Sequence, residues 1–187
     1  MILRCHRWIL FVALTALAGA AWAEGSEGFE GRWRVLEESQ KAVEKALRGA
    51  RRELRRGRGQ AVLRDLQVPE TTLAITLEDG AVYFRFDDHP RPPLYTDGRP
   101  SVIDSENPVL RFAAWEKDTL YVERTNNSGT RIEEQWRLII PPPPREGAEP
   151  PGGPWLEARF LVRNALLEEP LELRLLAEPL KDASDAL

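Results

Sequence analysis

The chain has 187 residues with 26 basic and 30 acidic side chains, a formal charge of −4, and a single cysteine. This modest negative charge argues against general nucleic-acid binding and for simple solubility. Because Cys5 precedes the first apolar run, the remainder offers no disulfide, thiol nucleophile or cysteine metal ligand, and must stand on its core alone.

Residues 1–23 carry Arg4 and Arg7, an apolar run from Trp8 to Ala18, and Ala21-Trp22-Ala23. Small residues three before and one before a cut fit a secretory signal peptide cleaved ahead of Glu24. The run is shorter than the roughly 20 residues that a bilayer crossing needs. The expected mature chain is exported, periplasmic or extracellular, with a charge of −6 once Arg4 and Arg7 are gone. Nothing after Ala23 is apolar for long enough to form a transmembrane helix.

Leu36, Val43, Leu47, Ala50 and Leu54 recur near the helical period, which predicts an amphipathic helix over about 33–56 whose narrow apolar stripe lies against a sheet. Glu37 and Glu38 suit its positive end, basic residues its negative end, and Gly57 its stop. Arg48, Arg51, Arg52, Arg55, Arg56 and Arg58 are either a solvated helix end or a patch for an anionic partner.

Strands are expected over about 72–178. Leu73, Ile75 and Leu77 alternate with polar or small residues, Asp79-Gly80 intervenes, and Val82, Phe84 and Phe86 alternate with Tyr83 and Arg85. A two-residue Asp-Gly turn of type I′ pairs Leu77 with Val82, Ile75 with Phe84 and Leu73 with Phe86. Residues 87–93 read as a loop. Leu94-Tyr95-Thr96 and Arg99 to Asp104, around Asp97-Gly98, suggest a weaker hairpin that Pro92, Pro93 and Pro100 confine to an edge or rim.

From Leu110 to Ile140 three alternating runs form a meander. Placing Leu120 and Val122 on the same side as Trp136 requires the pairs Leu120–Trp136, Val122–Glu134 and Arg124–Ile132. It also requires an odd loop with Gly129 left-handed. The turn at Glu116-Lys117-Asp118 leaves two registers open: two residues face Ala113 and Trp115 inward, three choose Phe112 and Ala114. Ile132, Trp136, Leu138 and Ile140 share the apolar side, and so does Glu134. Residues 141–154 are a proline- and glycine-rich spacer or a ligand for a proline-binding module. Leu156, Ala158, Phe160 and Val162, then Leu171, Leu173 and Leu175, supply two more strands, with Glu157, Arg159, Glu172 and Arg174 on their other face. Residues 181–187 form a frayed tail.

The fold expected is mainly β: a single domain over 24–180 with an N-terminal amphipathic helix followed by an antiparallel up-and-down meander of about eight strands, closed into a barrel or bent into a half-barrel. Phe29-Glu30-Gly31-Arg32-Trp33, Leu94 to Arg99, Trp115 to Glu123 and Gly129 to Glu134 resemble a recurring set of exported bacterial proteins of unknown function. The resemblance implies a lipocalin-like meander with an arginine-rich segment after the first helix, and no activity. Lys117 departs from it, standing where a turn glycine is usual, and so does the proline-rich spacer.

No residue set fixes a chemistry. His89 follows Asp87 and Asp88, but neighbours at a strand exit rarely converge on one metal, so no metal site is expected. No Gly-x-Ser-x-Gly elbow or phosphate loop is present, and no cofactor or catalytic residue is assigned. Glu134 on an apolar face needs either the diagonal Arg124 or a polar ligand group. Trp33, Tyr83 and Trp136 either fill the core or, with Glu134 and Arg124, line a pocket.

The leading expectation is an exported non-enzymatic domain holding a small apolar ligand. The alternative is an envelope interaction or assembly accessory acting through the helix-end arginines. Third is an enzyme on envelope carbohydrate, which needs two carboxylates facing each other about 5 to 9.5 Å apart.

Overall fold

The computed structural model describes residues 28–54, 62–63, 65–103, 108–143 and 153–180. The expected signal peptide, Arg55, Arg56, Arg58, the centre of the proline-rich spacer and the tail lie outside the described residues. Among the described residues no helix is long and apolar enough to cross a membrane.

Asp79-Gly80 organises the first hairpin. Both residues have positive φ, 46° and 81°, as a type I′ turn demands. Strand β2 (Thr72–Glu78) meets β3 (Ala81–Phe86) in the expected register, Leu77 opposite Val82, Ile75 opposite Phe84 and Leu73 opposite Phe86. Strands β7 (Val109–Glu116), β8 (Thr119–Asn126) and β9 (Arg131–Ile139) form the meander, again in register: Leu120 faces Trp136, Val122 Glu134 and Arg124 Ile132. Gly129 has φ 73° in the loop between β8 and β9. The β7–β8 turn takes the two-residue alternative, Glu116 pairing with Thr119, so Ala113 points inward and Phe112 outward.

The N-terminal region differs from expectation. Gly31–Val35 is a strand, β1, and the helix α1 runs only over Glu37–Glu53. The local period explains the difference: Trp33 and Val35 are buried while Arg32 and Arg34 alternate with them toward solvent, a two-residue repeat. β1 lies between β2 and the last strand, β11 (Leu171–Pro179), with Trp33 opposite both Leu73 and Pro179. Helix α1 then buries Val43 and Ala50, and Leu54 just beyond it, as the stripe requires.

The region after β3 also differs. Asp87 and Asp88, at φ 49° and 68°, make a second tight turn into the two-residue β4 (His89–Pro90). β5 (Leu94–Tyr95) and β6 (Ser101–Ile103) do not form a hairpin with each other: β5 pairs with β3 and β6 with β7. Proline at positions 92, 93 and 100 removes the donors that a continuous ladder would need.

With β10 (Trp155–Arg163), the described strands number eleven against about eight expected. All pair antiparallel; ten follow the order β4-β3-β2-β1-β11-β10-β9-β8-β7-β6, and β5 pairs with β3 off that path. The sheet curls into a half-barrel of lipocalin-like form. Leu94 pairs with Val82 of β3, and Asp97 bridges to Ala114 of β7, so this short segment draws the two flanks of the curl together. The concave side is filled. Trp136, fully buried, has ring-centroid distances of 4.7 Å to Phe84, 6.0 Å to Phe86 and 5.6 Å to Phe160. Ile140 does not join this face; it is 93% exposed, because β9 ends at Ile139 ahead of the prolines.

Candidate functional site

The one-residue alternation of β7, β8 and β9 places Arg111, Arg124 and Glu134 on the concave face among apolar neighbours, each about 5–6% exposed. Arg111 and Arg124 are directly opposite across the β7–β8 ladder. Like charges at such a position repel, and burial intensifies the repulsion. One carboxylate answers them. Glu134 accepts from Arg124 Nη2 through Oε1 and from Trp136 Nε1 through Oε2, the latter at 3.0 Å.

The remaining donors are fixed by backbone oxygens. Arg124 Nη1 donates to the Asp65 carbonyl at 2.9 Å. Arg111 Nη1 and Nη2 donate to the carbonyls of Pro92 and Pro93 at 3.1 and 3.2 Å, tying β7 to the segment after β4. Arg91 enters from that segment, its Cζ 5.1 Å from the centroid of Phe86 and its own N–H bonded to the Phe84 carbonyl at 2.7 Å. The cluster therefore holds three guanidiniums and one carboxylate. Two buried donors, Nε of Arg111 and Nε of Arg124, have no hydrogen-bond partner among the described residues.

The electrostatic consequence is legible in the arginines. Burial first, then the positive charge of Arg124, brings both Arg91 and Arg111 down to about 10, with Glu134 opposing the shift. Two cations held in this state mark a site that favours added negative charge. The cleft they border, lined also by Phe84, Phe86, Leu94 and Val122, has a volume of about 20 Å³. That is room for about one water-sized group, against the several hundred Å³ of a pocket that encloses a whole organic ligand.

The residues expected to line a pocket are thus divided. Arg124 and Glu134 border the cleft and pair with each other, and Trp136 supports Glu134 from the core. Trp33 is buried in the same core but does not border the cleft; its indole N–H donates to the Phe29 carbonyl at 3.3 Å. Tyr83 lies on the opposite face of β3, 37% exposed, where its alternation with Val82 and Phe84 puts it. Arg111 and Arg91 were missed. Arg111 is two residues before Ala113 and follows it inward once the β7–β8 turn is known to have two residues. No local pattern marks Arg91.

Elsewhere, Arg48, Arg51 and Arg52 are exposed on α1, and Arg48 pairs with Glu44 at 3.4 Å. Asp87 is a clamp: its carboxylate accepts from the N–H groups of Glu70, Thr71 and Thr72 at 2.6, 2.7 and 2.8 Å and from the Thr71 hydroxyl at 2.7 Å. Among the described residues no three metal-ligating side chains gather. Among the described residues Glu134 is the one carboxylate bordering the inner cleft. On the outer face Glu133 and Glu172 stand on either side of Leu161, but Glu133 is already engaged by Arg131 and Arg163.

No protein-family model and no curated protein matches the chain. Among solved structures it is similar to a luciferase domain from the dinoflagellate Lingulodinium polyedrum, at 13% identity and a TM-score of 0.47 over 81% of this chain, spanning 41% of that one. It is also similar to two heat-soluble proteins from Ramazzottius varieornatus. One is an abundant heat soluble (SAHS) protein, at 10% identity and a TM-score of 0.48. The other is secretory abundant heat soluble protein 4, at 10% identity and a TM-score of 0.46. Each match covers 81% of this chain and 94% of the other.

Proposed function

We propose that this protein is an exported, non-catalytic binding domain whose half-barrel receives the carboxylate of a small amphipathic ligand between Arg91, Arg111 and Arg124. The observation that carries the reading is the opposition of Arg111 and Arg124 across one ladder rung, buried, with Glu134 paired to Arg124 alone and an idle Nε on each arginine among the described residues. A second carboxylate at this point makes charge-assisted hydrogen bonds to groups that otherwise repel. The cleft, with room for about one water-sized group, admits an oxygen of the anionic head and nothing larger. The apolar stem then runs along Phe86 and Leu94, which line the cleft. Export rests on the signal-like pattern of residues 1–23.

Calorimetric titration of the purified protein with octanoate and with octanol, which share a stem and differ in charge, tests the reading. Octanoate is expected to bind and octanol not. Arg111→Gln should weaken octanoate by about tenfold or more, equivalent to at least about 1.4 kcal/mol, with the near-UV spectrum unchanged. Equal binding of the two ligands, no binding of octanoate, or unchanged affinity in the variant would each refute it.

A further inference from the structure

The outer face of the same sheet carries a second unbalanced charge cluster. Glu157 alternates with Leu156 and Ala158 on β10 and so points away from the core, yet it is fully buried. Guanidiniums bury it: Arg137 Nε of β9 donates to Oε2 at 2.6 Å, Arg174 Nε of β11 to Oε1 at 2.6 Å, and Arg159 Nη2 of β10 itself to Oε1 at 3.2 Å. Burial acts to raise the pKa of Glu157 and is outweighed by these three bonds, which hold it below the usual carboxylate range.

Arg159 and Arg174 are also direct partners across the β10–β11 ladder. Three cations therefore surround one anion, and the arginine side chains remain 42%, 51% and 57% exposed. A guanidinium has five N–H donors, and Glu157 engages one on each. Other arginines on this face are matched more evenly: Arg131 with Glu123 and Glu133, Arg163 with Glu133, and Arg34 with Glu178. Beside Arg159 and Arg174 lies a groove of about 540 Å³, also bordered by Gln135, Glu133, Leu161 and Glu172.

We infer that this groove is an oxyanion site, in which the N–H groups of Arg159 and Arg174 and the amide of Gln135 hold one compact anionic group, a phosphate or sulfate monoester. Planar guanidinium forks match such an oxyanion in both geometry and charge. Glu172, which also borders the groove, repels a second anionic group and so disfavours extended polyanions such as a nucleic-acid backbone. The three central strands fix the arginines before binding, which limits the ordering cost. The site shares no residue with the inner arginine cluster, so either can fail without the other.

The test is calorimetry of the full chain with inorganic phosphate and with sulfate at constant ionic strength. Saturable binding is expected, weakened about tenfold or more by Arg159→Gln or Arg174→Gln and unchanged by Arg111→Gln. Glu172→Gln leaves the Glu157 network intact and should tighten phosphate binding by about threefold. Phosphatidylcholine vesicles doped with phosphatidic acid identify the source of the group. Binding that phosphate competes away assigns it to a lipid head group, and binding of phosphate without vesicle binding assigns it to a free monoester. No saturable binding of either oxyanion, or affinities indifferent to both arginine variants and to Glu172→Gln, would overturn the site.

Discussion

Asp87 joins the start of β2 to the end of β3 through four hydrogen bonds to one carboxylate. Burial acts to raise its pKa, but the donors from Glu70, Thr71 and Thr72 prevail and keep it below the ordinary value. A carboxylate whose folded pKa lies below its unfolded one stabilises the fold above the unfolded value, and that stability is lost as pH falls through the folded one. Asp87→Asn should therefore be less stable than the native chain at neutral pH and converge with it in acid. Urea unfolding midpoints taken across the acid range check this; a constant gap at every pH would contradict it. Sequence alone places the same residue in a loop over 87–93. Its left-handed backbone, shared with Asp88, is tolerated by aspartate and gave no warning without a glycine.

At the scale of elements, turn chemistry and side-chain parity did most to set register. Asp79-Gly80 and Gly129 announced two of the turns, and every pair expected around them is present. Lys117 is the exception that parity could not resolve. It holds φ 56° in a two-residue turn, a conformation that costs an L-residue about 1–2 kcal/mol. Lys117→Gly removes that cost and adds some unfolded-state entropy, for a net gain of about 0.5–1 kcal/mol, read as a higher midpoint in thermal or urea unfolding. Equal or lower stability would show that the lysine is not strained there. Helix α1 shows the reverse dependence. Its stripe is visible in the sequence, yet what fixes its start is tertiary: the Ser39 hydroxyl accepts from Leu176 N–H at 2.8 Å and donates to the Arg174 carbonyl at 3.3 Å.

At the scale of the whole molecule, curvature brings Phe84, Phe86 and Phe160 around the fully buried Trp136. The half-barrel thus has an aromatic core beside the charged cleft, and the proposed ligand head sits at that cleft. Trp136→Ala should lower stability by about 3–5 kcal/mol and leave an apolar void. Benzene should then raise the unfolding temperature of the variant and not of the native protein. A native protein that responds equally to benzene would mean that the interior opens in solution.

The amino-acid order alone determined the antiparallel β class and the inward set Leu73, Ile75, Phe84, Val122, Trp136 and Phe160, and it offered the diagonal Arg124 as one of two partners for Glu134. These follow from alternation and turn residues, which act over a few positions. It did not yield β1, because five alternating residues sit directly against a strong helical repeat and their partners are about 40 and 145 positions away. Nor did it bring Arg91 and Arg111 to Arg124, or Arg137 and Arg174 to Glu157. Those meetings depend on how the strands are ordered and how far the sheet curls, and curl is the sum of packing over all strands, with no local residue to record it.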